Sequence, residues 1–314
     1  MTLFYNNPLS SSELRILSML KQRMNLPVES MNRYHNLQKG FEGEVTFHQF
    51  LSKNLDSECI VLYDLLLDSN LSEFQIDCII IQQREIWYVE VKNISGDFIL
   101  KDDALISLAS GKELNNPLHQ INRGTRLLKE LQTKHGYRFP VRSYVVFVHS
   151  EFALYHLQQK HPIVLPNQIH RFIHNINKTH STLTPAHHKL AETLCSIQIP
   201  PHHPDQIPSY DFNSIKKGID CLHCKSPLNN RKMSRKRITC HECGFSESHE
   251  SIVLRSVITF HTLFPKTRIT TKNIVDWCDG MFSKFKTRNI LYQFFRPVGI
   301  KKNMHFLIPS RNEP

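Results

Sequence analysis

Residues 75–81 and 86–92 are two apolar runs separated only by the polar residues 82–85, and no other stretch restricts the fold as much. Both runs are rich in β-branched and aromatic side chains, so they read as strands joined by a hairpin turn. If the turn is symmetric about residues 83–84, Asp77 falls opposite Glu90. Side chains alternate along a strand, so Glu90 and Lys92 share one face while Val89 and Val91 take the other. Residues opposed across an antiparallel pair project to the same side, which adds Asp77 to the face of Glu90 and Lys92. Three ionisable groups then converge on an otherwise hydrophobic hairpin. Two close carboxylates are hard ligands for Mg2+ or Mn2+. Such an ion activates water and neutralises a phosphate, and a neighbouring lysine can assist with either task. The plainer alternative is a Glu–Lys ion pair beside a solvated aspartate.

The flanking sequence bears on that choice. Phe41, Val45, Phe47, Phe50 and Leu51 have the spacing of an amphipathic helix, with Glu44 in its first turns and Gly40 and Gly43 shaping its start. An apolar strand over 59–67 follows, then the hairpin. Asn116-Pro117-Leu118-His119-Gln120 opens a helix to about Lys134, Pro117 suiting the first helical position. A further strand covers 141–148. The order is helix, three strands, helix, strand.

That order resembles the nuclease-related domain family, a branch of the PD-(D/E)xK nuclease superfamily, over roughly residues 38–150. The residues that carry the likeness are Gly40-x-x-Gly43-Glu44, Gln75-Ile76-Asp77, Val89-Glu90-Val91-Lys92-Asn93 with Ser95-Gly96, and Asn116-Pro117 with Gln120. The resemblance implies an α/β fold, a PD-(D/E)xK-like central sheet flanked by helices. It implies that Asp77, Glu90 and the Val91 carbonyl hold Mg2+ or Mn2+, and that Lys92 contacts the attacking water or the phosphate. Glu44 would be an accessory or water-orienting carboxylate, and Gln120 would support the site from its helix. Without the resemblance, Glu44 and Gln120 read as ordinary helix residues.

A second pattern lies downstream. Cys221-x-x-Cys224 and Cys240-x-x-Cys243, with fifteen residues between them, form two knuckles that bring four thiolates to one tetrahedral Zn2+. Pro227 and Gly244 suit the tight turns beside them. The opening MTLFYNNPLSSSEL lacks the basic and apolar regions of a signal peptide, so a cytoplasmic chain with reduced thiols is expected. A structural zinc ribbon therefore fits better than disulfides or a redox pair. His223 and His241 read as neighbours of the ligands, and Cys59, Cys78, Cys195 and Cys278 as ordinary packed or surface residues.

Charge separates the two parts of the chain. Residues 1–215 hold 20 Lys and Arg against 21 Asp and Glu, whereas residues 216–314 hold 19 against 7. A basic appendage on a neutral body is the footprint of nucleic-acid binding. Five of the seven residues 231–237 are basic: Arg231, Lys232, Arg235, Lys236 and Arg237. Further on, Thr270 caps a short helix, Asp279-Gly280 turns the chain, and a basic helix carries Lys284, Lys286 and Arg288. This reads as a helix-turn-helix arrangement, with residues 299–309 as a small hairpin wing and the three basic residues toward DNA. The plainer alternative is a helical packing domain with a solvated basic face. No apolar run approaches the roughly 18 residues of a membrane span, so a membrane partner is not expected.

The expected domains are an N-terminal helical extension (1–37), a nuclease-related domain (38–150), a helical segment with a Pro-rich linker (151–215), a zinc ribbon (216–249) and a basic helical domain (250–314). The amphipathic stretch 13–24 is expected to pack on the nuclease core. The histidines of 151–215, including His187-His188 and His202-His203, lack metal-site spacing and read as structural. The functional expectation is a Mg2+- or Mn2+-dependent DNA nuclease with a zinc-ribbon and helical DNA-binding module. Its alternatives are a non-catalytic DNA-binding or regulatory protein and an RNA-directed nuclease.

Overall fold

The computed structural model describes residues 1–69, 72–101, 104–158, 160–200, 204, 206–228 and 231–309, with the backbone alone at 231–233 and 302. His202 and His203 lie outside the described residues. The chain forms two compact units, one of Met1–Leu14 and Asn32–Pro204, the other of Arg15–Met31 and Asp205–Pro314.

The chain begins with β1 (Thr2–Phe4), α1 (Ser12–Lys21) and α2 (Val28–Asn54), then β2 (Cys59–Asp68), β3 (Glu73–Ile81) and β4 (Ile86–Lys92). Next come β5 (Gly96–Lys101), β6 (Ala104–Ser107) and β7 (Glu113–Leu114), ahead of α3 (Pro117–Lys134) and β8 (Val141–Phe147). The first unit ends with β9 (Phe152–Tyr155), β10 (Ile163–Val164), α4 (Ile169–Lys178) and α5 (Pro185–Ser196). A central sheet runs β1-β2-β3-β4-β8-β10, and a smaller sheet runs β7-β6-β5-β9. β2, β3 and β4 form an antiparallel meander, while α3 carries the chain to β8, parallel to β4. Helices cover both faces. Tyr88, Ile121, Leu128 and Leu190 share one core with α3 and α5, and Phe47, Leu51, Val89 and Phe172 share the other with α2 and α4.

The hairpin forms in the expected register. Cys78 pairs with Val89 and Ile81 with Ile86, so the turn is symmetric about residues 83–84. Its polar residues do not all face water. Gln82 is wholly buried, donating to Ser57 Oγ at 2.8 Å and Ile176 O at 3.1 Å and accepting from Trp87 Nε1 at 2.8 Å. Every polar atom of its amide is thereby satisfied, as burial requires. His187 has a similar structural role, its Nε2 lying 3.0 Å from Gln83 O.

α2 differs from the expectation. It begins at Val28, so Glu44 is well inside the helix and Gly40 and Gly43 do not shape its start. The preceding turns are polar but free of Pro and Gly, so they propagate a helix without an apolar stripe that periodicity could detect. Gly43 has a different purpose. A Cβ placed there would stand 2.5 Å from Asn93 Cβ, so the missing side chain lets α2 approach the end of β4.

The second unit contains β11 (Arg231–Met233), β12 (Arg237–Cys240), β13 (Ser246–Ser248), α6 (His249–Leu263), α7 (Thr271–Trp277), α8 (Lys284–Phe294), β14 (Arg296–Val298) and β15 (His305–Leu307). Its core gathers Phe260, Ile274, Trp277 and Leu291, and Phe212 stacks on Trp277. Ile16 and Leu20 of α1 also lie in this core, contrary to the expectation that this stretch packs on the nuclease core. An amphipathic stripe specifies that one face is buried, not which core buries it. Arg23 fixes the segment by donating to Lys216 O and Gly218 O, with its guanidinium 4.0 Å from the Trp277 ring. Thr270 and Ser283 cap α7 and α8 through their hydroxyls, and Asp279 and Gly280 turn the chain between them at φ 51° and 65°. β14 and β15 pair antiparallel, and Ile269 bridges to Phe306. Among the described residues no helix is long and apolar enough to cross a membrane.

Candidate functional site

The first site gathers where β2, β3 and β4 lose regular pairing. The β3–β4 ladder stops at Cys78–Val89, and Asp77 Oδ2 instead accepts from the Val91 N–H at 2.8 Å. A side-chain oxygen thus replaces a backbone acceptor. In β2, Ile60 and Leu62 share a core cluster with Leu65 and Leu67, and in β3 Ile76 shares it with Ile79. Strict alternation cannot put odd and even residues on one face. Both strands therefore change phase, at Asp64 in one and Asp77 in the other, and Asp64 has a left-handed φ of 52°.

Glu90 is only 2% exposed. Its Oε1 accepts from Lys92 Nζ at 2.7 Å, and Lys92 also donates to Gln120 Oε1 at 3.0 Å. Its Oε2 is buried with no hydrogen-bond partner among the described residues. Burial pushes the Glu90 carboxyl up to about 7, with the Asp77 charge adding and Lys92 opposing. Burial likewise raises Asp77, against the Val91 N–H and Lys92. Glu44 is pushed up to about 9 by burial and then by Asp77. The structure thus brings together Glu44, Asp77, Glu90, Lys92 and Gln120, and the Asp77 carboxylate is not the solvated group of the plainer alternative.

Asp64 was missed by sequence reasoning. It opposes Asp77 across β2–β3, accepts from the Leu9 N–H at 2.6 Å, and burial pushes its carboxyl up to about 6. The trace it left was an acidic residue at the point where the apolar phase of residues 60–67 shifts by one.

The residues fit a divalent ion, because Glu90 presents an unpartnered buried oxygen next to Asp77 and the Val91 backbone. Among the described residues, only the four cysteines bring three or more such ligand atoms within 4.8 Å of one another. An ion at Asp77 and Glu90 would therefore complete its shell from backbone and water, as Mg2+ commonly does.

Cys221 Sγ lies 3.7 Å from Cys243 Sγ, and Cys224 Sγ lies 3.7 Å from Cys240 Sγ. All four thiols fall within 4.8 Å of one another, a spacing that suits one tetrahedral metal ion. The knuckles close because Lys225 and Gly244 adopt φ of 62° and 72°, and their N–H groups return to Cys221 O and Cys240 O. Cys59, Cys78 and Cys278 are buried away from this cluster, and Cys195 is half-buried.

The basic residues divide by environment. Arg235, Lys236, Lys284 and Arg288 are exposed. Arg237 is tied down, donating to Ser246 Oγ at 3.0 Å and Ser246 O at 2.5 Å. Lys286 is half-buried, donating to Arg235 O at 3.0 Å and lying against His249 Nδ1. The side chains of Arg231 and Lys232 lie outside the described residues.

Residues 39–148 match the family model described as the nuclease-related domain. That stretch holds Glu44, Asp64, Asp77, Glu90, Lys92 and Gln120, so the family likeness and the acidic site coincide. The first unit is thus nuclease-like in fold, and the second carries a four-cysteine cluster able to hold a metal such as zinc. No curated protein and no solved structure matches the chain.

Proposed function

We propose that the chain is a divalent-metal-dependent DNA nuclease whose second unit, built around a structural zinc ion, binds the substrate. The observation that carries this reading is the Glu90 carboxylate beside Asp77, whose Oε2 is buried and has no hydrogen-bond partner among the described residues. A carboxylate so placed costs stability and is explained by a cation that the free protein leaves to be bound. Asp77, Glu90 and the Val91 carbonyl would hold Mg2+ or Mn2+. When bound, that ion supplies charge neutralisation at the phosphate and a more acidic water. The chain's own residues do the rest. Lys92, steered by Gln120, places its ammonium beside the Glu90 carboxylate and can turn to a phosphate oxygen. Asp77 is held by the Val91 N–H, so its free oxygen keeps one direction. Glu44, neutral near pH 7, can donate a hydrogen bond or accept a proton after deprotonation. Cys221, Cys224, Cys240 and Cys243 would hold Zn2+, and the excess of cations in residues 216–314 supports DNA as the partner.

The test is nicking of supercoiled plasmid by the full chain with Mg2+, Mn2+ or EDTA, alongside Glu90→Ala and Lys92→Ala. Metal-dependent nicking lost in both variants is the expected result. DNA binding without cleavage by the wild type would leave a non-catalytic binding protein.

A further inference from the structure

α8 buries Thr287, Ile290 and Leu291. Phe285, Arg288, Asn289 and Tyr292 therefore share the opposite side, at the i, i+3, i+4, i+7 spacing of a single helix face. Phe285, in the first turn, is 68% exposed. Arg288 and Asn289 are exposed, and their side chains make no hydrogen bond to another described residue. A single exposed phenylalanine is ordinary. Here it adjoins an unengaged guanidinium and an unengaged amide at the start of a capped helix.

Two sets of contacts hold this helix side in a larger surface. Lys286 donates to Arg235 O at 3.0 Å, and the His249 N–H donates to Lys236 O at 3.0 Å. The turn joining β11 to β12 is thereby pinned beside the first turn of α8, which leaves Arg235, Lys236, Lys284 and Arg288 exposed near one another. Farther along, the Tyr292 hydroxyl reaches Met304 Sδ at 2.8 Å and its ring meets Phe306 edge-on, bracing the β14–β15 hairpin against α8.

We infer that the exposed side of α8 enters the major groove of duplex DNA, with Arg288 and Asn289 at base edges, Phe285 in apolar contact with the bases, and Arg235 and Lys236 on flanking phosphates. This inference rests on the proposal that the second unit binds DNA. An α-helix with its side chains is about 10–12 Å wide and fits the roughly 12 Å major groove of B-DNA. The deep, narrow major groove of A-form RNA does not admit one. Arginine pairs with guanine and asparagine with adenine at their major-groove edges. Residues 216–314, with 19 Lys and Arg against 7 Asp and Glu, have the charge to neutralise phosphates. Lys286 is a positioning residue that joins the hairpin to the helix and does not itself meet DNA.

The test uses the full chain without added Mg2+ or Mn2+, measuring anisotropy of a fluorescein-labelled 30-base-pair duplex of random sequence at several NaCl concentrations. Arg288→Ala should weaken binding about fivefold or more, and Lys236→Ala, at a flanking phosphate, should reduce the slope of log K against log salt by about one. Phe285→Ala should weaken binding with the slope unchanged, because the lost contact is apolar. Lys178→Ala, on the exposed side of α4 in the first unit, serves as the charge-matched control and should change neither. Wild-type affinity and slope in both α8 variants, with duplex binding intact, would overturn this inference alone. Tighter binding of a 30-nucleotide single-stranded RNA than of the duplex would also overturn it. No duplex binding by the wild type would overturn the DNA-binding reading beneath it.

Discussion

Glu44→Gln should stabilise the metal-free protein at neutral pH. The folded Glu44 carboxyl is pushed up to about 9 from an ordinary 4.5. Because the folded value is the higher one, the native state keeps a proton that the unfolded chain releases above about pH 4.5. Stability attributable to this group therefore falls as pH rises from 4.5 toward 9. At pH 7 the folded carboxyl is still neutral, so the penalty cannot exceed roughly 1.4 kcal/mol per pH unit across that interval, about 3.4 kcal/mol. Partial solvent contact, and repulsion shared with Asp77 and Glu90, bring the expected gain to about 2 kcal/mol. For a unit of this size that corresponds to roughly 4–8 °C in melting temperature at pH 7. Calorimetry of wild type and variant at pH 5, 7 and 8.5 without divalent ions measures it. The gain should be near zero at pH 5 and largest at pH 8.5. Millimolar Mg2+ should shrink it, since the wild type then gains more from the ion than the variant does. An equal difference at pH 5 and 8.5, or a variant less stable throughout, would refute the assignment of Glu44 to a strained acidic cluster.

Gly43→Ala should destabilise the first unit by about 1–3 kcal/mol in urea unfolding, because its Cβ would stand 2.5 Å from Asn93 Cβ. Alanine's better helix propensity, worth about 1 kcal/mol, works the other way, so a more stable variant would show that α2 can shift freely. Cys224→Ser removes one of four converging thiols and should lower zinc content, measured by elemental analysis, from one ion per chain toward none. Unchanged zinc content would sink the assignment of these cysteines to a metal.

Local physics made much of this protein legible in its residues. The 75–92 hairpin was readable because β-branched runs and a polar turn admit one favourable register, and that register carries Asp77 to Glu90. α3 was readable from Asn116 and Pro117, an acceptor for the first free N–H and a ring that fits the first helical turn. The cysteine spacing needed no tertiary information either, since each knuckle closes on itself. Three-dimensional packing decided the rest. Asp64 joined the acidic cluster only because two neighbouring strands change phase together, a long-range event that alternation within one strand cannot foretell. Ile16 and Leu20 of α1 settled in the core of the second unit because an apolar stripe is indifferent to which core buries it. Lys286 is bonded within the fold because the β11–β12 turn, some fifty residues distant in sequence, offered the Arg235 carbonyl. Composition and short-range spacing fixed which chemical groups this chain could assemble. Which of them share a surface, and which are spent holding it together, depended on contacts between residues far apart in the chain, whose energies exist only once the fold has closed.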